Sequence, residues 1–477
     1  MTGGKQTKII CTISNKHCEP DFLRELVEAG MNVVRLNTAH MEPADADGIV
    51  ANLRAVSDRV AIMIDTKGPE VRTCDLPEPL VVRTGEVVRV SSVATPKRGF
   101  RVNYENFVEE VPVGRPLLVD DGETKLTVVE KESDALVCRV DNDGEVKDRK
   151  SVNTPGVRLD MPALTEKDAA FIEWGAKAGI DFVAHSFVRR RDDVMAVQTI
   201  LDLHKSPIKI VAKIENREGV DHLEEILDVA YGVMVARGDL GIEIPAEEVP
   251  VIQKQIIRIC NRRVKPVITA TQMLHSMIES PRPTRAEVSD VANAIYDGTD
   301  AVMLSGETAY GKYPVEAVRT MADIARNVEA HKHSLGFKLP VFHQEEDLMP
   351  RNHLAKSAVA IASSLHAKAI ITSTKSGETA RVCAAYRGKT PVFALSANAH
   401  VIRQLALSYG IHAERIQVPH TTEELVEVVL ETLFDKGVFG KDDLVVFIGG
   451  GHVYEASTNF LLVDTPSTLL KRVHDEL

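Results

Sequence analysis

The 477-residue sequence predicts an α/β protein: a (β/α)8 barrel that carries an inserted all-β lid domain and is followed by a C-terminal open-sheet α/β domain. Three observations predict it. Short β-rich apolar runs alternate with stretches of 3.6-residue period, the alternation breaks once for a long segment of two-residue period, and it resumes beyond a polar stretch near residue 332.

The apolar runs come in order as KIICTI (8–13), NVVRLN (32–37), VAIMIDT (60–66), DFVAHSF (181–187), KIVAKIE (209–215), GVMVAR (232–237), PVITAT (266–271) and AVMLS (301–305). Amphipathic stretches such as DFLRELVEAG, TEKDAAFIEWGAKAG and PAEEVPVIQKQIIRIC lie between most of them, with Gly or Asp near their ends. Eight such strands joined by helices close into a barrel more readily than they spread into an open sheet. The barrel is assigned to residues 1–69 and 157–340.

Between the third and fourth runs, EVVRVSSV, PLLVDDGETKLTVVE and ALVCRVDNDGEVK alternate apolar and polar positions around DG turns, so 70–156 forms the all-β insertion. Its place beside the strand-end loops suits a lid. HKHSLGFKLPVFHQEEDLMP reads as a linker, and AIITST, PVFALSA and DLVVFIGGG supply strands for a domain at 341–477.

Composition narrows the function. With 44% hydrophobic and 26% charged residues the chain is of soluble globular type, and a net charge of -12 without charge blocks offers no broad attraction to nucleic acid or anionic membrane. No apolar stretch has the length of a membrane span, MTGGKQTKII lacks a signal peptide's apolar core, and the six scattered cysteines read as free thiols, so a cytoplasmic location is expected.

In such a barrel, polar groups at the carboxyl ends of strands converge on one mouth. They are Arg35 and Asn37; Asp65, Thr66 and Lys67; Lys213 and Glu215; Arg237 and Asp239; Thr269 and Thr271; Ser305 and Glu307. Carboxylates, cations and hydroxyls together suit a phosphate bound with a metal. Glu215 and Asp239, on adjacent strand ends, are enough for Mg2+, which keeps waters and takes further oxygens from its substrate. Lys213 lies two residues before Glu215 and so faces the same way, where a phosphoryl group would offset the cost of a partly buried cation. RGDLG (237–241) adds Gly next to Asp, which lets backbone N–H groups approach an anion closely before a new helix begins near Pro245. No P-loop or GxGxxG motif is present, GGGH (449–452) is a weak signal, and STKSGET (373–379) makes a phosphate cradle at a helix start.

These residues carry a resemblance. MNVVRLN, IDTKGPEVRT, VAKIENREG, VMVARGDLGIEIP, ITATQMLHSMIESPRPTRAEVSDVANA and DGTDAVMLSGETAYGKYP resemble the pyruvate kinases, in the family's order and over nearly the whole chain. The resemblance implies a TIM barrel, a phosphotransferase that moves the phosphoryl group of phosphoenolpyruvate to ADP in the final step of glycolysis, and a homotetramer. It implies Mg2+ or Mn2+ on Glu215 and Asp239, Arg35 and Lys213 on the phosphoryl group, and Gly238, Asp239 and Thr271 on the substrate carboxylate. Thr271 and Ser305 would lie near the proton route to the enolate. Arg72, His40, Lys150 and Asn37 match nucleotide positions, with Asp120 or Asp121 approaching from the lid. Asn37, Asp65 and Thr66 match ligands of K+, and Glu70 is the residue type that goes with K+ dependence. Ser373, Thr374, Lys375, Ser376, Gly377 and Thr379 match the phosphate loop for a phosphorylated allosteric effector.

The chain departs from the family's pattern at several places. SNKH (14–17) replaces GPAS, KSVNTPG (150–156) replaces KGVNLPG, VAHSF replaces FASF and puts His185 at the mouth, and Ala39 replaces a serine whose hydroxyl ligates K+. K+ dependence with weakened affinity is expected from the negative charge that Asp65 and Glu70 leave to balance. Two other readings use part of the same inventory: a Mg2+-dependent lyase or aldolase working through pyruvate enolate without a nucleotide, and a catalytically inactive effector-binding protein.

Overall fold

The computed structural model describes residues 4–332, 349–417, 421–450 and 458–475. Each of the eight apolar runs forms a parallel strand: β1 (Lys8–Thr12), β2 (Val33–Asn37), β3 (Ala61–Asp65), β4 (Phe182–His185), β5 (Lys209–Ile214), β6 (Gly232–Ala236), β7 (Val267–Ala270) and β8 (Ala301–Leu304). They pair in sequence order, and β8 closes on β1 with Lys8 opposite Ala301. The side-chain period of two divides every strand between an inner and an outer face. Ile10, Val33, Ala61, Met63, Phe182, Ala184, Val211, Met234, Ile268 and Met303 fill the barrel, whereas Val34, Ile62, Val183, Ile210, Val233 and Val302 meet the surrounding helices.

The helices start and stop on local chemistry. Thr165 and Asp168 form a reciprocal cap at the start of Glu166–Ala178, which ends at Gly179 in the left-handed region (φ +70°). Thr284 and Glu287 do the same for Arg285–Asp297, which ends at Gly298. The helix expected to begin near Pro245 starts instead at Val249, with Pro250 in its first turn, the one place where a residue without an N–H costs no helical bond. RGDLG lies in a short helix of its own, Arg237–Glu243, that follows β6 directly.

After β3 the chain builds a seven-stranded sheet in the spatial order Val152–Asn153, Pro116–Val119, Thr124–Lys131, Ala135–Val140, Val87–Ser91, Gly99–Val102, Thr73–Cys74, plus a two-stranded ribbon. Its core contains Phe100, Phe107, Leu117, Leu126 and Leu136. The C-terminal part is a five-stranded sheet in which Ile411–Arg415, Val392–Ser396, Ala369–Ser373 and Val445–Gly449 are parallel and Phe460–Asp464 is antiparallel. Leu407 from this part joins the apolar cluster inside the barrel. The linker expected at 331–350 falls mostly on 333–348, outside the described residues. No helix among the described residues is long and apolar enough to cross a membrane, and all six cysteines are free.

Candidate active site

The inner-face positions at the ends of β2, β3 and β5 bring Arg35, Asp65, Lys213 and Glu215 together. Asp65, 1% exposed, accepts from Arg35 Nε on Oδ2 at 2.5 Å and from Lys213 Nζ on Oδ1 at 3.0 Å. Lys213 Nζ reaches Glu215 Oε1 at 3.0 Å and donates to Ser186 Oγ at 2.7 Å. The three N–H donors of the ammonium are thus met by two carboxylates and a hydroxyl. Burial opposes both charges, yet Arg35 and Lys213 hold the Asp65 carboxyl below its usual range, and Asp65 and Glu215 hold the Lys213 ammonium protonated.

Glu215, also 1% exposed, accepts from Phe187 N–H on Oε2 at 2.6 Å. Burial raises its carboxyl against the pull of Lys213, and the negative charge of Asp239 raises it further. A buried carboxylate beside a second carboxylate favours a cation between them. Among the described residues no three His, Cys, Asp or Glu side chains converge as a metal cluster, so a cation here would draw on Glu215 and Asp239 and take its other oxygens from water and ligand. Both line a cavity of about 380 Å³ between the barrel mouth and the insertion, with Glu70, Val71, Val152 and Thr154 on its far wall.

Thr271, after β7, is left-handed (φ +69°) and accepts from Gly238 N–H on Oγ1 at 2.8 Å. Arg237 holds this turn in place. It forks onto Asp290 at 2.6 and 2.7 Å and donates to the carbonyls of Ala270 and Thr271, so it is committed to the protein rather than offered to an anion. Glu307 is similarly committed: it is 2% exposed and accepts from Ser305 N–H at 2.7 Å and Leu274 N–H at 3.1 Å.

Thr269 and His185 do not face the mouth. They alternate with the inner-face residues Ile268, Ala270 and Ala184, and so point outward. Thr269 hydrogen-bonds Thr299, and the fully buried His185 puts Nδ1 3.4 Å from Thr66 Oγ1, where burial depresses its pKa to about 4.

Around this centre, Asn37 Oδ1 accepts from Ala39 N–H at 3.2 Å, and Thr66 Oγ1 accepts from Ser186 N–H at 2.9 Å. The cations assigned to nucleotide are each paired: Arg72 with Glu70 at 2.6 Å, and Lys150 with Asp120 at 2.9 Å. Asp121 accepts from Ser151 Oγ. His40 closes the turn Thr38–His40, and its side chain lies outside what the structure describes. In the C-terminal sheet, Ser373 ends a strand, Gly377 (φ +80°) donates to Thr374 Oγ1 at 2.9 Å and starts the helix Glu378–Ala385, and Thr379 bonds Thr458; Lys375 and Ser376 are exposed. The second half of GGGH, with the residues up to 457, lies outside the described residues.

Residues that the motif reading passed over are Thr12, Ser186 and Phe187. Thr12 Oγ1 accepts from Arg35 Nη1 at 3.0 Å. The inner-face period extended from Ile10 finds Thr12, and extended from Ala184 it finds Ser186, whereas Phe187 turns left-handed after the end of β4 and follows no period.

Comparison with known proteins shows which family the two parts of the chain match. Residues 4–318 match a family model described as the barrel domain of pyruvate kinase, and residues 352–463 match the α/β domain of the same family. A pyruvate kinase of Borreliella burgdorferi is 48% identical over 98% of both chains. The pyruvate kinase of Geobacillus stearothermophilus is 45% identical over 98% of this chain and 81% of its own, and that of Bacillus licheniformis is 44% identical over 96% and 80%.

Proposed function

We propose that this chain, which belongs to the pyruvate kinase family, transfers the phosphoryl group of phosphoenolpyruvate to ADP, giving pyruvate and ATP. The observation that carries this reading is Lys213 set between Asp65 and Glu215, with Arg35 on the same carboxylate and Asp239 across the cavity. Phosphoryl transfer asks a protein mainly for position and charge, and this cluster supplies both.

Lys213 and Arg35 would contact the phosphoryl oxygens, Lys213 after turning one N–H from a carboxylate to the substrate, and Lys213 would also stabilise the enolate left on pyruvate. Gly238, Asp239 and Thr271 would hold the substrate carboxylate. The Gly238 amide now donates to Thr271 Oγ1 and the Thr271 hydroxyl to the Ala270 carbonyl, so each would exchange that partner for the carboxylate. Thr271 and Ser305 would lie near the route by which a proton reaches the enolate. Glu215 and Asp239 would hold Mg2+ or Mn2+, which when bound supplies positive charge to the phosphoryl oxygens. Asn37, Asp65 and Thr66 would hold K+. Arg72, Lys150 and His40, with Asn37 beside them, would face the nucleotide, the first two after exchanging a carboxylate partner for a phosphate. Ser373, Thr374, Lys375, Ser376, Gly377 and Thr379 would take the phosphate of an allosteric effector, and a homotetramer is the expected assembly.

The test is a coupled assay of pyruvate formation from phosphoenolpyruvate, with ADP and Mg2+ each present or omitted. The proposal expects turnover only with both. Pyruvate release without a nucleotide would favour the lyase reading, and no turnover at any K+ or effector concentration would leave the effector-binding reading.

A further inference from the structure

We infer that Ser186 is a positioning residue for Lys213, and that the Ser186–Phe187 turn sets the relative placement of the Lys213 ammonium and the Glu215 carboxylate. The inference rests on the reading of Lys213 as the residue that meets the phosphoryl group. Ser186 is 2% exposed, and every polar group it has toward the site is engaged. Its N–H donates to Thr66 Oγ1 at 2.9 Å, and its hydroxyl lies 2.6 Å from the Thr66 carbonyl and 3.4 Å from Asp65 Oδ1. The single hydroxyl proton goes to the nearer carbonyl, which turns a lone pair toward Lys213 Nζ at 2.7 Å.

The next residue does for the Glu215 carboxylate what Ser186 does for the Lys213 ammonium. Phe187 is left-handed (φ +54°), a conformation that a bulky residue adopts only where the surroundings fix it, and this aims its N–H at Glu215 Oε2 at 2.6 Å. Gly68 (φ +71°) is what the turn packs on: a Cβ there would come 2.8 Å from the Phe187 ring and 3.0 Å from Ser186 Cβ. Asp168 in turn holds Gly68 N–H at 3.1 Å. One turn after β4 therefore grips two neighbouring side chains of β5.

Of the three acceptors on Lys213, Ser186 alone is uncharged. It fixes the direction of one N–H without neutralising the ammonium, leaving that charge to act on a phosphoryl group. Loss of the hydroxyl would leave Lys213 to follow its two carboxylates, and a misplacement of this kind costs about 10- to 100-fold in rate.

The experiment measures kcat, KM for phosphoenolpyruvate, and Mn2+ affinity by electron paramagnetic resonance for wild type, Ser186→Ala and Ser186→Thr. Expected are a fall of about 10- to 100-fold in kcat for Ser186→Ala, KM and Mn2+ affinity within about threefold of wild type, and recovery in Ser186→Thr, which keeps the hydroxyl. If Ser186→Ala does not fold, Ser186→Cys takes its place, with the same slowing expected from its weak acceptor. An unchanged kcat, or a fall that Ser186→Thr shares while folded, overturns the inference. A wild-type protein without ADP-dependent turnover would instead sink the functional reading beneath it.

Discussion

Asp65 shows how few side chains decide the character of the mouth. It is a carboxylate inside the barrel with Arg35 on one oxygen and Lys213 on the other, so neither cation pays the full cost of burial. Two residues away from this network in sequence stands Asn37, whose side chain bonds the amide of Ala39 and so holds the turn in which the family's serine is missing. Ala39 offers no oxygen, but Asn37, Asp65 and Thr66 keep theirs, so the proposed K+ site loses one ligand and retains the others. K+ activation is therefore expected to persist with weakened affinity, and Ala39→Ser to lower the half-saturating K+ concentration several-fold. A titration of K+ against Na+ and a bulky organic cation checks this. Rates indifferent to K+ in the wild type would contradict it.

The strands were the most legible part of the chain, because period two and flanking helices leave few alternatives. That period also placed Lys213 and Glu215 on one face. Applied with equal care it excludes Thr269 and His185, which alternate to the outer face, and it finds Thr12 and Ser186. Connections were less legible: the helix after β6 was expected near Pro245, yet RGDLG already closes into a short helix against Thr271. Asp168 illustrates a connection whose role only the fold reveals. Its carboxylate caps the helix Glu166–Ala178 through Thr165 and also accepts from Lys67 N–H at 2.8 Å and Gly68 N–H at 3.1 Å. It thus ties the point where the chain leaves the barrel for the insertion to the point where it has returned. Asp168→Ala removes a cap and strands two amides, for a loss of about 2–4 kcal/mol. Thermal unfolding should show it, and a variant within about 0.5 kcal/mol of wild type would contradict it.

At the far end of the barrel, the C-terminal sheet is fastened at two opposed strands. Asp181, just before β4, accepts from Arg403 Nε at 2.6 Å and from Arg54 Nη2 at 3.1 Å. Asp300, just before β8, is met by Arg387 Nη2 at 2.7 Å and by Tyr409 N–H at 2.9 Å, and Leu407 packs into the barrel between these anchors. Arg387, 2% exposed, also donates to the Gly298 carbonyl and to Asn261. No sequence pattern joins residues so distant along the chain; the pairing exists only once the two parts dock. Arg387→Met should cost about 3–5 kcal/mol, because Asp300 keeps its buried charge and loses the guanidinium that meets it. A denaturation midpoint equal to that of wild type would show that the docking does not depend on this pair.

The measurement that bears most directly on the whole account is the turnover of Lys213→Met in the phosphoenolpyruvate and ADP assay, paired with its Mn2+ affinity. If Lys213 supplies charge to the transferring group while Glu215 and Asp239 hold the metal, turnover falls by several orders of magnitude and Mn2+ still binds within about tenfold of wild type. Turnover close to that of wild type would contradict the account.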